Sequence, residues 1–589
     1  MKRLIGICAA SLLTTVSAPA LAQSSADHEE TSVDRIIVFG DSLSDGGYYA
    51  AGGTLPPGAG SFTTNPDPVS PEIFAAMLGI DLKTAYGLGG TNFAVGGARV
   101  TAANALSIPI ATQIDNFLAA GGSFSASDLV YIQGGGNDFF YFGALGGTDP
   151  TILSTAAGEL ATQVRRVQDA GAGRIVTMSV QTGGQAGLQF YNQNYAAALA
   201  AANVNALYFD TDMLYNEVIA NPGAFGITDI VNPACTVSSL ICTRDTLVSP
   251  DAAETHALAD TVHPTGKMQR VQGQAIASLV MAPDQIAGLG YATQASYRAH
   301  RRLAENGAMT GMGEGMRLFA NGGYHYYDND GTTQRIGLTE RGFIGDLGIA
   351  FGFGPDAGAA LAVGYSQGKG DFELGSGSYD SEAWSVTGIA HADIGFAGIS
   401  VSGVYGTGKL NDITRVVHIG PVTRTHVGDT DTDYLAIGAA LDATLLRGGG
   451  MAFGPEIGLD WERVTVDGYT EASPQSTSAS FGKQEIESLT GRVGLSLRSD
   501  GDGPVSVNIR AAYEHDFDDD PRSFTMTPSG APISWTVPVH TADSDYMSYG
   551  FTVAGKLGPN LSLQGGASGE LFRGDETAIT AHAGISLKF

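Results

Sequence analysis

Charge is scarce in this sequence. Only 15% of its residues are charged, and 31 basic side chains face 60 acidic ones, for a formal charge of −29. That balance excludes the general electrostatic attraction on which binding to nucleic acids or anionic lipid surfaces depends. Cysteine is scarcer, three in 589 residues, too few for a cysteine-built metal site. Long apolar runs are missing as well. After residue 22 no stretch approaches the roughly 20 consecutive apolar residues that a transmembrane helix needs, so any membrane span must be a β-barrel. What is abundant is glycine, 82 residues, which points to many turns or closely packed backbone.

The length exceeds what one hydrophobic core usually serves, and two domains are expected. The chain opens with Lys2 and Arg3, an apolar run from Leu4 through Val16 and Ala20-Leu21-Ala22 before Gln23. This is the pattern of an export signal over residues 1–22, too short to span a bilayer and ending in small residues suited to cleavage. Cys8 is removed with it. Cys235 and Cys242 then remain, in a compartment where disulfides persist, and a small bridged loop is expected.

From about Val33 to Ala287 the pattern mixes helices and strands, as an α/β domain does. Ile36 to Phe39 reads as a short buried strand. Ile110, Ile114, Phe117 and Leu118 fall at helical spacing, as do Leu153, Ala157, Leu160, Val164 and Val167, and strand-like Ile175 to Val180 follows a Gly171 and Gly173 stop. The region from Ile286 to Gly307 reads as a polar helix bearing Arg298, Arg301 and Arg302. From about Met316 onward, segments of around ten residues alternate apolar with polar or small. In the last, Ile579, Ala581, Ala583, Ile585, Leu587 and Phe589 share one face. Phe453, Ile457 and Leu459 likewise oppose Glu456, Asp460 and Glu462. Charged residues thus lie on the inner face, and the length holds about twelve strands of a transmembrane antiparallel barrel.

Gly40-Asp41-Ser42-Leu43-Ser44 follows the first strand and puts Ser42 at its carboxyl end, where α/β sheets gather their sites. It is not the G-x-S-x-G elbow, because Ser44 fills the second glycine's place. A hydroxyl needs a base to become a nucleophile. Asp260-Thr261-Val262-His263-Pro264 supplies an imidazole and an orienting carboxylate within one turn, with Pro264 fixing the backbone after His263; Asp251 and His256 form a looser pair nearby. Acyl transfer also needs donors aimed at an oxyanion. Gly89 to Ala98 and Gly134-Gly135-Gly136-Asn137-Asp138 are the glycine-rich segments able to provide them.

These four segments resemble the ordered blocks of the GDSL, or SGNH, hydrolases: Gly-Asp-Ser-Leu, Asn-Phe-Ala-Val-Gly-Gly-Ala, Gly-Gly-Asn-Asp and Asp-x-x-His-Pro. The resemblance implies Ser42 as nucleophile, His263 as base and Asp260 as its partner. It also implies an oxyanion hole of the Ser42 amide, Gly97 and Asn137, with Gly96 as the alternative to Gly97. It departs at Tyr48, where relatives usually carry Asn, and at Val180-Gln181-Thr182-Gly183-Gly184, where an apolar-Pro segment is common. With its terminal Phe589 the whole chain is similar to the GDSL autotransporter esterases, whose passenger stays attached through a helix in the barrel lumen.

The expectation is therefore two domains: an α/β passenger at 23–285, with a parallel sheet flanked by helices, then a linker helix at 286–315 and a barrel at 316–589. It would be an outer-membrane protein displaying a carboxylic ester hydrolase at the cell surface. No metal or cofactor is implied, since the triad is complete without one. Expected partners are an ester or lipid substrate, outer-membrane lipid around the barrel and the barrel-assembly machinery during biogenesis; no nucleic acid is expected, and the chain is expected to be a monomer. An adhesive passenger or an outer-membrane pore are the alternatives, although no repeat precedes residue 287.

Overall fold

Two sheets of opposite character divide the chain. The computed structural model describes residues 32–589 apart from 105–106, 310–314, 355 and 501–502; the expected signal peptide, with Cys8, lies outside the described residues. The first sheet is parallel and four-stranded, β1 (Arg35–Phe39), β2 (Asp128–Ile132), β3 (Arg174–Met178) and β4 (Leu207–Phe209), adjacent in that order. Its strands are near-continuous apolar runs because both faces are covered. Around them lie α1 (Ser70–Met77), α2 (Ile110–Ala119), α3 (Gly136–Ala144), α4 (Thr151–Asp169), α5 (Ala186–Ala201), α6 (Thr211–Ala220), α7 (Ala252–Thr255) and α8 (Gly266–Val280).

Side chains alternate between the two sheet faces, and each face builds its own core. Ile37, Phe39, Val130 and Ile132 pack with Ile110 and Ile114 of α2, Leu160 and Val164 of α4 and Tyr191 of α5. Ile36, Val38, Leu129 and Tyr131 face the other way, against Phe74 of α1, Leu214 of α6 and Met268 and Val271 of α8. Leu160 is fully buried between α4 and the sheet. Truncating it to alanine would cost about 2–5 kcal/mol, the transfer term plus the cavity left behind.

The second sheet is antiparallel and closed. Its strands are β5 (Gly315–Asn329), β6 (Leu338–Gly352), β7 (Ala357–Phe372), β8 (Gly377–Ile394), β9 (Ala397–Ile419) and β10 (Val422–Ala443), continued by Met451–Val466, Gln484–Ser499, Val505–Asp516, Asp545–Lys556, Leu561–Arg573 and Glu576–Lys588. β10 pairs with Met451–Val466, and the last strand returns to β5, Glu576 opposite Asn329 and Lys588 opposite Arg317. Twelve strands thus close with no free edge, the condition for crossing a bilayer in β-structure. Phe343, Trp384, Ile437 and Val493 point outward and are exposed, where lipid would cover them. Glu456, Asp460, Glu462 and Glu570 point inward and are buried.

They are buried because a helix fills the lumen. That helix, α9 (Ala282–Met309), starts four residues before the expected linker boundary and follows α8 after Met281 alone. Read from sequence it is a polar helix, yet its arginines are enclosed. The Arg298 Nε donates to Glu462 at 2.7 Å, Arg301 meets Asp460 at 3.0 Å and Arg302 meets Glu570 at 2.8 Å. Tyr297 stacks on Tyr434 with ring centroids 4.8 Å apart. Each buried cation has an anion, without which desolvation would make the arrangement untenable.

The barrel also reaches up to the α/β domain. Residues Tyr469–Thr470, Ala479–Phe481, Ser523–Pro528 and Trp535–Pro538 form a small four-stranded sheet above the barrel. The Asn205 side chain donates to the Thr536 carbonyl and accepts from its amide, both at 2.7 Å. Gln334, between β5 and β6, bonds Val33 twice and the Leu78 carbonyl once. Arg424 of β10 pairs with Glu217 of α6 at 2.8 Å.

Candidate active site

Three connections converge at the carboxyl ends of β1 and β2. The chain from Thr91 runs parallel to β1, the Val38 amide donating to the Thr91 carbonyl at 3.0 Å and the Phe93 amide to the Val38 carbonyl at 2.8 Å. This delivers Val95 to Gly40, whose carbonyl its amide reaches at 3.1 Å. β2 ends beside β1, and Gly135 caps α3 with φ +103; a Cβ there would lie 2.1 Å from the Tyr191 ring. Only glycine allows both that backbone and that packing. Asn137 therefore sits in the first turn of α3, next to Gly136, where a Cβ would lie 3.8 Å from Asp41 Oδ2 of the turn that carries Ser42.

Ser42 is 8% exposed, and its Oγ lies 2.9 Å from His263 Nε2. His263 Nδ1 lies 2.9 Å from both oxygens of Asp260. Asp260 Oδ1 also accepts the Val262 and His263 amides at 2.9 Å each, and Oδ2 accepts the Ser239 amide at 3.0 Å. Burial works to raise the Asp260 carboxyl, but hydrogen bonds from His263 and Ser239 and the charge of the ring hold it well below the usual carboxylate range. An anion ringed by donors keeps the proton on Nδ1 and leaves the Nε2 lone pair facing Ser42. His256 is placed differently: it faces Asp229 at 3.9 Å, and Asp251 is bonded to Ser249.

The two oxyanion alternatives separate on their amides. The Gly96 N–H is taken by Asp45 Oδ2 at 2.8 Å. Gly97 has φ +77, and among the described residues its amide has no partner. Gly97 is thus the one with a donor to offer. Asn137 Nδ2 donates one hydrogen to the Ala98 carbonyl at 3.0 Å, which fixes the side chain and leaves the second hydrogen. Asp138 holds the same loop from below, accepting the Val100 amide at 3.0 Å and Arg99 Nε at 2.9 Å.

Several supporting residues were given no role by the sequence. Asp45 accepts Gly47, Tyr48 and Gly96 amides, tying the Ser42 turn to the Gly96-Gly97 loop; burial pushes its carboxyl up to about 6. Asp41, also pushed up to about 6 by burial, accepts the Leu43 amide and Gln133 Nε2. Ser239 touches both Asp260 and His263. Phe62 lies 5.0 Å from the His263 ring, and Tyr49 donates to the Gly96 carbonyl at 2.9 Å. Tyr48 stacks edge-on with Tyr49 and Tyr86, so the departure from Asn builds an aromatic wall beside the site. The signal for Asp45 was its place three residues after the nucleophile; nothing in the sequence pointed to Ser239.

Cys235 and Cys242 are bonded, with Cα atoms 5.9 Å apart. Among the described residues no group of three or more His, Cys, Asp or Glu side chains is arranged to hold a metal ion.

A family model described as a GDSL-like lipase/acylhydrolase matches residues 36–276, and an autotransporter beta-domain model matches 318–568. The esterase EstA of Pseudomonas aeruginosa is 26% identical over 670 residues, covering 100% of this chain and 99% of its own. A Pseudomonas putida protein described only by its place in the trpE-trpG intergenic region is 27% identical over 587 residues, covering 88% of this chain and 95% of its own. Among solved structures, the translocator domain of the autotransporter NalP from Neisseria meningitidis aligns with a TM-score of 0.42 and 16% identity, over 52% of this chain and 99% of that one.

Proposed function

We propose that this chain, which joins a GDSL-like lipase/acylhydrolase domain to an autotransporter β-domain and is a self-exported outer-membrane esterase, works through Ser42, His263 and Asp260. The observation that carries the assignment is the unbroken relay from Ser42 Oγ to His263 Nε2 at 2.9 Å and from Nδ1 to Asp260 at 2.9 Å.

Ser42 attacks the ester carbonyl while His263 Nε2 takes its proton. The tetrahedral anion is held by the Gly97 amide, the free Asn137 amide hydrogen and the Ser42 amide. Asp260 stays ionised and stabilises the imidazolium. The proton passes to the leaving alcohol, and water repeats the sequence to release the acid. Preorganised donors of this kind supply the largest share of the acceleration, because they need not reorganise as charge develops.

The passenger of this reading spans 23–285, with residues 286–315 as the linker and 316–589 as the exporter. Its partners are a carboxylic ester or lipid substrate, the surrounding outer-membrane lipid and the barrel-assembly machinery. A helix held in the lumen by three arginine pairs supports a passenger that stays attached, and a barrel closed on itself supports a monomer. The test is Ser42→Ala in the full chain: it removes the nucleophile and leaves the fold, so hydrolysis of a p-nitrophenyl ester by intact cells should vanish while surface labelling of the passenger persists. Activity retained in that variant overturns the assignment.

A further inference from the structure

The loop closed by Cys235 and Cys242 lies against the proposed general base. Ser239, near its middle, is fully buried and is held at each of its polar groups. Its amide donates to Asp260 Oδ2 at 3.0 Å, and its Oγ lies 3.1 Å from His263 Nδ1. Its carbonyl accepts Asn65 Nδ2 at 2.9 Å. The same Asn65 amide donates to the Ser61 carbonyl at 2.8 Å, so one side chain holds this loop and the turn that carries Phe62 against His263. At the loop's start the Cys235 amide donates to the carbonyl of Ala259, the residue before Asp260, at 3.0 Å. Cys235, Cys242 and Ala259 pack as one buried cluster.

We infer that the Cys235–Cys242 loop is a positioning device for His263: Ser239 orients the Asp260–His263 pair, and the disulfide holds Ser239 in place. The inference rests on the roles given to Ser42, His263 and Asp260 above. Nδ1 keeps its hydrogen throughout the cycle, so the Ser239 hydroxyl acts toward it as an acceptor, third after the two Asp260 oxygens. When Nε2 takes the proton of Ser42, that hydroxyl dipole faces the new positive charge. The charged groups that face the ring are Asp260, from its own turn, and Asp41, from the turn after β1; Ser42, Ser239 and Phe62 are neutral. Ser239 is a positioning residue: it acts through the imidazole and touches no substrate.

The test uses the full chain in outer-membrane vesicles, with active sites counted by labelling to completion with a fluorophosphonate. Ser239→Ala keeps the cross-link and the amide at 239 and removes only the hydroxyl. Its kcat per labelled site should fall roughly tenfold with KM unchanged, the scale of one hydrogen bond to a charged group. The acid limb of its kcat/KM profile should move to lower pH, because the imidazolium has lost an acceptor. Cys235→Ser with Cys242→Ser frees the loop and should lower kcat per site at least as far. Reducing the wild-type protein with a dithiol, which becomes a cyclic disulfide as two protein thiols form, should reproduce that loss, and reoxidation should reverse it. Wild-type kcat per site and an unmoved limb in Ser239→Ala would overturn the proposal, as would losses that only follow the number of labelled sites. Hydrolysis by Ser42→Ala would instead overturn the triad itself, so the two failures are distinct.

Discussion

Replacing Asp260 by asparagine is the sharpest probe of the relay, because the geometry leaves the amide no good orientation. Oδ1 accepts two backbone amides, those of Val262 and His263, and Oδ2 accepts that of Ser239. An NH2 group at either place meets a backbone donor. The less costly choice puts it at Oδ2, opposing one donor, and leaves a buried N–H unsatisfied at about 1–3 kcal/mol. In that orientation the amide donates to Nδ1 and drives the imidazole proton to Nε2, where it faces Ser42 and blocks proton transfer. The expected loss in kcat is about 10⁴-fold, or ~5.4 kcal/mol of transition-state stabilisation, the loss the same change produces in serine-protease triads. The folded Asp260 carboxyl is depressed, so its stabilising contribution is present above the ordinary carboxylate range and lost as pH falls through the folded value. The variant should therefore melt below wild type at pH 7, with the gap closing toward acid. Steady-state hydrolysis of p-nitrophenyl butyrate per labelled site measures the first effect and calorimetry the second. More than about a tenth of wild-type kcat would refute the tautomer argument.

Other changes read separate parts of the molecule. Asn137→Ala should lower kcat by about 10²–10³ with little change in KM, the usual cost of one oxyanion donor. Gly96→Ala should be damaging although its amide is not free, because a Cβ would sit 2.3 Å from the Phe62 ring that packs on His263; inhibitor labelling should slow. Arg298→Met leaves Glu462 buried without its cation and should cost about 3–5 kcal/mol, seen as a lower temperature for loss of the folded barrel band in semi-native electrophoresis. Removing the disulfide frees a loop with sequence separation 7, worth about 2.5 kcal/mol in chain entropy, and should lower the passenger's melting temperature. Burial raises Asp41 and Asp45 to about 6 and Glu72 to about 7, from 3.8 and 4.5. The folded state then binds more protons than the unfolded chain across that window, so stability falls as pH rises through it. The passenger should melt higher at pH 5 than at pH 8.

The elements with strict periodicity were legible from sequence. Alternation in Phe453, Ile457 and Leu459 against Glu456, Asp460 and Glu462 gave the inner and outer faces of a barrel strand, because a strand repeats every two residues whatever it packs against. The meeting of Ser42, Asp260 and His263 was to be expected only from the four ordered blocks together, since a Gly-Asp-Ser turn or an Asp and His three apart is common loop chemistry on its own. The arginine helix was legible as a helix and the inner-face acids, Glu456 and Asp460 among them, as charges it could face; Arg301 meets Asp460, whereas Glu456 pairs with Arg492. Its other partners were not, since Glu462 and Glu570 meet it only once the barrel closes around it. Ser239 carries no chemical signature of its own. Its hydroxyl and amide meet His263 and Asp260 only in space, and no spacing in the sequence announces that. Gly96 and Gly97 could not be told apart in the sequence for the same reason: Asp45 takes the Gly96 amide across a separation of 51 residues.

The domain boundary is the instructive case. Composition changes near residue 316, yet structurally the division is less clean, because the barrel's outer loops finish the passenger. Ala531 and Ile533 pack against the core that also holds Tyr191 and Leu160. Trp535 is completely buried in the core shared by α8 and the sheet above the barrel. Among the described residues the Asn205 side chain is bonded only to Thr536, and Glu217 pairs with Arg424 and accepts the Ser476 amide. A hydrophobic core forms wherever apolar area can be removed from water, without regard to which domain supplies it. An isolated passenger ending near residue 285 would expose that apolar area and leave Asn205 without these partners. The loops above the barrel therefore belong to the architecture of the site: they fix the sheet whose carboxyl ends carry Ser42 and Asn137.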